Sequence, residues 1–284
     1  MTPRTVASAL VLIALLTAGG SVAAREDDDA VALALGDSVA FGFITQAGYE
    51  YGDPDNFVGF PDYVGGLLRL DVVNASCPGE TTSGFLSATG DDNGCRPYRA
   101  NFPLHVGYGA TQRGFATTYL RRHHNVRLVT ITLGANDGFL LQRDCASDPN
   151  PALCIQAGLP ALLARVAMNM QTILGDLRET GYQGVIVVTN YYSLNYADAA
   201  GTALIAALNG AIVAPADSYG AAVADLFTAF GTATNTPIFA GNSCRAGLLN
   251  ASPQNQFLCD VHPSQSGHRL IARAVSRAAQ RSRW

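Results

Sequence analysis

Residues 31–38 read VALALGDS: an apolar run of strand length, residues 31–35, is followed directly by glycine, aspartate and serine. A continuous apolar run is typical of a strand that is buried on both faces of a parallel sheet. Because the run passes directly into Gly36-Asp37-Ser38, we expect the Ser38 hydroxyl at the carboxyl edge of a sheet, where ligands bind. The tripeptide alone decides little, since Ser38 could equally cap the next helix.

Four more apolar runs of strand length follow, with helical stretches between them. The runs cover residues 70–73, 126–133, 185–189 and 221–226, and the helical stretches cover residues 63–68, 111–123, 160–179, 202–214 and 265–281. This alternation predicts an α/β fold, a three-layer α/β/α sandwich with a central parallel sheet of about five strands. Residues 45–61 and 90–109, rich in Gly, Tyr, Asn and Pro, are expected to form long surface loops.

The N-terminal residues 1–24 have the layout of a secretory signal peptide. Arg4 precedes an apolar run, and small residues ending in Val22-Ala23-Ala24 follow it. The run is far shorter than the ~20 residues of a spanning helix, so we expect cleavage and no stable membrane insertion. Residues 25–284 are then expected to form one secreted, extracellular domain.

Six cysteines remain after residue 24, an even number that suggests three disulfides in an exported chain. They are Cys77, Cys95, Cys145, Cys154, Cys244 and Cys259. Sequence alone leaves the connectivity open. We favour pairing between neighbours, because each such loop lies between expected core elements and can close locally. A zinc site is the alternative, but closely spaced ligand pairs are missing.

The net charge of −4 and the pI of about 5.7 give no attraction to nucleic acid. The Asp91-Asp92-Asn93-Gly94 stretch resembles the start of a calcium loop, yet the later acidic ligand is missing. We therefore expect no nucleic-acid partner. We also expect a monomer, although no residue pattern in the chain decides its oligomeric state.

Three further polar blocks stand where a cleft at the sheet edge would need them. Gly79 follows the second run, and Asn136 follows the third, although both could belong to ordinary turns. His262 precedes Pro263, which discourages helical geometry and is expected to leave the imidazole in a loop. A serine, a histidine and hydrogen-bond donors together are the groups that acyl transfer requires.

In this combination the chain resembles the SGNH (GDSL) hydrolase family, whose fold is flavodoxin-like. The four blocks of that family occur in order as Gly36-Asp37-Ser38, the Gly79 loop, Gly134-Ala135-Asn136-Asp137 and Asp260-Val261-His262-Pro263. The resemblance implies that Ser38 is the nucleophile and His262 its base. It also implies an oxyanion hole made by the N–H groups of Ser38 and Gly79 and the amide of Asn136, with no cofactor.

One position departs from the family pattern. The family usually places an aspartate three residues before the base, but Cys259 stands there, and Asp260 stands two residues before His262. Asp260 is the candidate for orienting the imidazole, with a backbone carbonyl as the alternative.

The resemblance extends to secreted actinobacterial lipases and esterases with three disulfides. We therefore expect a secreted serine carboxylic-ester hydrolase that acts on a small-molecule or lipid ester. One alternative is a carbohydrate (acetyl) esterase whose loop aromatics stack on sugars, namely Tyr49, Tyr51, Phe57 and Phe60. Another is a catalytically silent binding domain on the same fold.

Overall fold

The computed structural model describes Met1 and residues 30–45, 48–252 and 258–282. The signal peptide expected over residues 1–24 lies outside the described residues, Met1 apart.

The five expected strands form one parallel sheet in the order β2-β1-β3-β4-β5. Its strands are β1 Val31–Gly36, β2 Asp71–Asn74, β3 Val126–Thr132, β4 Val185–Thr189 and β5 Ala221–Ala224. The central strands are apolar and buried, as continuous hydrophobic runs require. Strand β2 lies on one side of β1 and β3 on the other, so the order in which strands are added reverses at β1, and such a switch point opens a crevice at the carboxyl ends.

The described residues contain ten α-helices, most of which cover the two faces of the sheet. They are α1 Ser38–Phe41, α2 Phe60–Leu68, α3 Thr82–Leu86, α4 Cys95–Asn101, α5 Gln112–Arg122, α6 Ala135–Cys145, α7 Pro151–Glu179, α8 Ala199–Val213, α9 Leu226–Thr234 and α10 Gln265–Arg281. Helices α2, α9 and α10 pack together on one face, and α3, α5, α6, α7 and α8 on the other. The expected three-layer α/β/α sandwich is thereby confirmed.

The last helix shows why the sequence folds this way. Ser264 caps α10 by accepting a hydrogen bond from Gly267 N, and the helix buries Ile271 and Val275 against the sheet. Its arginines lie on the opposite, solvated side.

Two segments, Pro151–Glu179 and Ala199–Tyr219, are long and apolar enough to cross a membrane by length and composition alone. Core helices of soluble proteins pass the same test. Both segments contribute buried side chains to the main core, among them Met170 and Ile173 of the first and Leu208 and Ile212 of the second. Only a minor part of each apolar stretch is buried, 11% of the first and 28% of the second.

His262 lies in a strand, so the expected loop around it is wrong. Strand β7 Cys259–Pro263 pairs antiparallel with β6 Leu249–Ala251 in a two-stranded ribbon outside the main sheet. The residue before a proline prefers extended geometry, and Pro263 ends the strand, where its missing N–H costs no ladder bond.

Each cysteine is joined to its neighbour along the chain, which is the pairing favoured from the sequence. The bonds are Cys77–Cys95, Cys145–Cys154 and Cys244–Cys259. Two of them lie beside the expected site residues Gly79 and Asp260.

The expected surface loops are more structured than their composition suggested. Residues 90–109 contain α4, and the described part of 45–61 contains the 3-10 turns Gly48–Gly52 and Pro54–Asn56. Phe41, Phe57, Cys77, Cys95 and Leu104 form a small second core between these stretches. The many polar and turn-forming residues in these stretches led to the expectation of loops, so this packing was not predicted.

Candidate active site

Ser38 lies directly beyond the carboxyl end of β1, in the first position of the short helix α1. Asp37 is the residue that caps this helix, since its Oδ1 accepts a hydrogen bond from Val39 N at 2.9 Å. Ser38 is therefore not the cap, and its hydroxyl is not used for capping.

Asp37 is itself almost fully buried and is held by a second side chain. Burial raises the pKa of Asp37 to about 6, although the hydrogen bond donated by the Tyr191 hydroxyl opposes the rise. Tyr191 is fixed in turn by Asn209, which accepts from Tyr191 N and donates to Tyr191 O. The turn that presents Ser38 thus rests on a buried polar network.

Asn136 lies at the start of α6, just after β3 and across the switch point from Ser38. Its Nδ2 donates to the carbonyl of Glu80 at 3.0 Å, and its Oδ1 accepts from Asn93 Nδ2 at 2.8 Å. Both ends of the amide are therefore held, and the second hydrogen of Nδ2 remains for a ligand.

Gly79 adopts a φ of +84°, a conformation that L side chains rarely take. A Cβ added here would lie 2.6 Å from the carbonyl oxygen of Asn93, so only glycine fits. Gly79 O accepts from Asn93 N at 3.1 Å. Asn93 therefore links the Gly79 loop to Asn136.

Glu80 and Gln112 join the Gly79 loop to the end of β1. Gln112 Nε2 donates to Gly36 O at 2.7 Å and to Glu80 Oε2 at 3.1 Å, and its Oε1 accepts from Gly36 N. Burial raises the pKa of Glu80 to about 8, with the hydrogen bond from Gln112 opposing the rise. Such a satisfied buried network rigidifies the backbone around it.

The backbone N–H groups of Ser38 and Gly79 have no hydrogen-bond acceptor among residues 30–45, 48–252 and 258–282. Backbone N–H groups of this kind are what an oxyanion hole requires. Gly79 itself does not line the cavity that contains Ser38 and Asn136.

His262 and Asp260 face the same side of β7, as residues two apart on a strand do. The distance from His262 Nδ1 to Asp260 Oδ2 is 3.4 Å, while Asp260 Oδ1 accepts from His262 N at 2.8 Å. Burial alone would raise the pKa of Asp260, but hydrogen bonds from His262 and Thr45 bring it below its usual value. Asp260 is therefore ionised near neutral pH.

The imidazole of His262 is also held by apolar contacts. The ring of Phe43 lies edge-on to it with 5.1 Å between centroids, and Phe43 packs in turn against Tyr51 and Phe57. Tyr192 supports the ribbon, since its hydroxyl donates to Val261 O at 2.7 Å.

A cavity of about 360 Å³ opens at the carboxyl edge of the sheet and brings the candidate residues together. Ser38, Asn136 and His262 all line it. Most of the remaining wall is apolar, formed by Phe139, Leu194, Leu204, Ile205 and others. The arrangement combines a hydroxyl, an imidazole and an amide with room for an apolar group.

Sequence reasoning missed four residues that support these groups, namely Thr45, Asn93, Gln112 and Tyr191. They come from segments distant in sequence from the residues they support, and hydroxyl and amide side chains carry no motif of their own. Asn93 alone had a signal, as part of the Asp91-Asp92-Asn93-Gly94 stretch, whose role is in the Asn136 contact.

The fold is similar to those of several solved hydrolases. A phospholipase A1 from Streptomyces albidoflavus is 20% identical with a TM-score of 0.53, over 89% of this chain and 98% of that chain. An extracellular lipase from Streptomyces rimosus is 15% identical with a TM-score of 0.54, over 87% and 99%. An acetyl xylan esterase from Geobacillus stearothermophilus is 17% identical with a TM-score of 0.54, over 88% and 94%. At these identities the likeness shows the fold alone.

Comparison with the curated proteins gave no match. The sequence pattern of the GDSL-like Lipase/Acylhydrolase family, in contrast, matches residues 34–270, which include Ser38, Gly79, Asn136 and His262. That match covers most of the chain, and the parallel sheet and its cleft agree with it. The protein therefore belongs to the GDSL-like lipase/acylhydrolase family.

Proposed function

We propose that this protein is a secreted serine carboxylic-ester hydrolase that acts through an acyl-serine intermediate. One observation carries the proposal: Ser38, Asn136 and His262, from three distant segments of the chain, line the same cavity. Family membership supports the reaction class, and the chemistry below is assigned from the site.

In the proposed mechanism Ser38 Oγ attacks the ester carbonyl carbon while His262 Nε2 takes the hydroxyl proton. The imidazolium then protonates the leaving alcohol, and the acyl group stays on Ser38. A water molecule, deprotonated by the same imidazole, attacks the acyl-serine carbon, and the imidazolium returns that proton to Ser38 Oγ as its bond to the acyl group breaks and the acid leaves. Asp260, ionised beside the ring, stabilises the imidazolium in both steps.

The tetrahedral oxyanion is proposed to accept hydrogen bonds from Ser38 N, Gly79 N and Asn136 Nδ2. The loop contacts described above support this role, because Asn93 and Glu80 fix the amide of Asn136 before substrate arrives. Preorganised donors contribute most when they need not reorient during the reaction.

The cavity wall supports acyl groups longer than acetyl. Phe139, Leu204 and Ile205 offer apolar surface next to Ser38, and burying each methylene contributes ~0.8 kcal/mol. We therefore propose medium-chain or lipid acyl esters as the preferred substrates.

Secretion is proposed from the leader layout of residues 1–24 together with the three disulfides. The Streptomyces rimosus neighbour, an extracellular lipase, is consistent with it. We propose that residues 25–284 are the mature domain and that this domain is a monomer. Mass spectrometry of the exported protein tests the cleavage point.

Hydrolysis of aryl esters from acetyl to long acyl, with Ser38→Ala as the control, tests the proposal. We expect the highest kcat/KM at medium or long acyl length and loss of activity in Ser38→Ala. Unchanged turnover in Ser38→Ala would refute the serine mechanism. Failure of a fluorophosphonate probe to label Ser38 in the wild type would favour a silent binding domain.

The alternative is a carbohydrate acetyl esterase, which would be supported if activity were highest on acetyl esters. The loop aromatics give it little support, because Phe57 and Phe60 are buried and only Tyr49 of the four is largely exposed. Buried rings cannot stack on a sugar.

A further inference from the structure

Thr45 lies between the two residues of the proposed acid–base pair. Its Oγ1 donates a hydrogen bond to Asp260 Oδ2 and lies 3.1 Å from His262 Nδ1. The direct distance between Asp260 Oδ2 and His262 Nδ1 is longer, at 3.4 Å. The hydroxyl is therefore the closer neighbour of the ring nitrogen.

The spacing of Asp260 and His262 explains the gap. Because Asp260 stands only two residues before His262, its carboxylate lies beside the His262 backbone, where Oδ1 accepts a hydrogen bond from His262 N at 2.8 Å. The other oxygen, Oδ2, is then too far from Nδ1 for a short hydrogen bond. Thr45, from the segment after α1, places its hydroxyl between these two atoms.

Counting donors fixes the protonation of the imidazole. An ionised carboxylate only accepts, and a threonine hydroxyl has a single hydrogen, which Thr45 donates to Asp260. The contact between Thr45 Oγ1 and Nδ1 therefore requires the ring to be the donor. With its proton on Nδ1, the neutral imidazole has an unprotonated Nε2.

We propose that Thr45 is a positioning residue of the reaction: its hydroxyl bridges His262 Nδ1 and the Asp260 carboxylate and holds the tautomer whose Nε2 accepts the Ser38 proton. The inference rests on the proposed function. During catalysis the Nδ1 proton stays on the ring, the Thr45 proton stays on its oxygen, and Asp260 remains ionised. In acylation only the Ser38 proton moves, to Nε2 and then to the leaving alcohol, and in deacylation a proton of the attacking water passes through Nε2 to Ser38 Oγ.

The bridge is anchored from outside as well. Ile44 O accepts from the Tyr51 hydroxyl at 3.0 Å, and Phe43 packs against both Tyr51 and the His262 ring. Among the described residues, the charged or titratable groups that interact electrostatically with the imidazole include Asp260, Asp37 and the buried His268. Asp260 alone among them contacts Thr45.

The first test compares Thr45→Val, which removes the hydroxyl but keeps the shape, with Thr45→Ser, which keeps the hydroxyl. On a short aryl ester we expect Thr45→Val to lower kcat about 10–100-fold with KM within about twofold, as loss of a hydrogen bond in a charged pair predicts. Thr45→Ser should recover kcat to within about threefold. Thr118→Val, at an exposed position on α5, is the control for a general effect of this change.

Two outcomes of that series would overturn the bridge. One is Thr45→Val with kcat within about twofold of wild type, and the other is a loss that Thr45→Ser does not recover. The acidic limb of the kcat/KM profile should also move to lower pH in Thr45→Val, since the imidazolium loses part of its stabilisation. An unmoved profile would indicate a merely structural role.

The double variant Thr45→Val/Asp260→Asn measures whether the hydroxyl acts through the carboxylate. We expect the kcat of the double variant to be no more than about twofold below that of Asp260→Asn. The Thr45 hydroxyl acts through the ionised carboxylate, so that its removal costs little once the carboxylate has been replaced. Full multiplication of the two single effects would contradict the bridge.

A readout without turnover separates this inference from the proposed function. In protein with ¹⁵N-labelled histidine, the Nδ1–H signal of His262, assigned with His262→Gln, should be present in wild type and shifted or lost in Thr45→Val. An identical signal in Thr45→Val would overturn the bridge. A wild-type protein that shows the signal but hydrolyses no ester would contradict the proposed function and leave the bridge standing.

Discussion

Ser38, Gly79 and Asn136 follow strands of the central sheet, whereas Thr45, Asp260 and His262 belong to a short ribbon and the segment packed on it. We term the first set the sheet-edge half and the second the ribbon half. Around the sheet-edge half lie buried polar residues such as Asp37, Glu80 and Gln112. In the ribbon half, the side chains of Asp260 and His262 remain 13% and 12% exposed.

The two halves of the cleft are therefore stabilised by different kinds of contact. The sheet-edge half takes its geometry from the order of the strands and from a network that spans three segments. The ribbon half depends on a few local contacts and on the Cys244–Cys259 disulfide beside Asp260. Substitutions in the two halves should therefore differ in how they affect activity and stability.

The largest expected effect is in the ribbon half. Asp260→Asn should lower kcat by up to ~10⁴, because an amide in place of the carboxylate no longer stabilises the imidazolium. Steady-state kinetics on an aryl ester measure it, with Asp217→Asn on the surface as the control. A loss below about threefold would make a backbone carbonyl the orienting group and remove Asp260 from the pair.

In the sheet-edge half, Asn136→Ala should lower kcat by ~10²–10³, the cost of losing one oxyanion donor. The fold should persist, because Glu80 and Asn93 remain packed at the loop. Kinetics and circular dichroism together separate the two effects, with the exposed Asn101→Ala as the matched change. Near-wild-type turnover would exclude Asn136 from the oxyanion hole.

Removing disulfides sharpens the contrast between the halves. Replacing Cys244 and Cys259 by serine should cost ~2–4 kcal/mol of stability and also lower kcat/KM roughly 10-fold, because the ribbon that holds His262 loosens. Replacing Cys145 and Cys154 should lower stability alone, since Cys145 ends α6 at the opposite end from Asn136 and the loop to Cys154 contains no residue of either half. Thermal melts and kinetics below both transitions measure this. Equal kcat/KM in the two variants would show that the ribbon needs no covalent support.

The smallest expected effect concerns Glu80, whose folded pKa of about 8 lies above its ordinary 4.5. Between these values the unfolded chain releases a proton that the folded protein retains. This contribution to stability is complete below pH 4.5 and is lost as pH rises to about 8, with a slope on the order of 1 kcal/mol per pH unit. Glu80→Gln should flatten the dependence.

Urea unfolding at pH 5, 6 and 7 measures this slope, with the exposed Glu179→Gln as the matched control. Parallel curves for Glu80→Gln and wild type would mean that the carboxyl of Glu80 ionises normally in the folded protein.

Much of the fold could be predicted because the sheet is buried on both faces, so that its strands are marked by continuous apolar runs. Strand β4 was expected at its observed bounds, and β1 to within one residue. The ribbon could not be predicted, since β6 and β7 are short and partly exposed, with no alternation long enough to read. Helix α4 was hidden by glycine and polar residues around it.

The candidate site shows the same division. Ser38 and Asn136 stand at strand ends, where topology alone brings them to one edge, and their motif could be read from the chain. Thr45 could not be found, because its importance arises from contacts with Asp260 and His262, which folding brings to it. Pairwise contacts between distant polar side chains leave no periodic mark in a sequence.

The distribution of the two halves along the chain also affects when activity can arise. A polypeptide synthesised as far as α9 already contains Ser38, Gly79 and Asn136 but lacks the ribbon strand that carries His262. Because folding during synthesis proceeds from the N-terminal side, the proposed nucleophile Ser38 should lack its base, and remain inert, while the chain is still on the ribosome. Ester cleavage would begin only after β7 and α10 have docked.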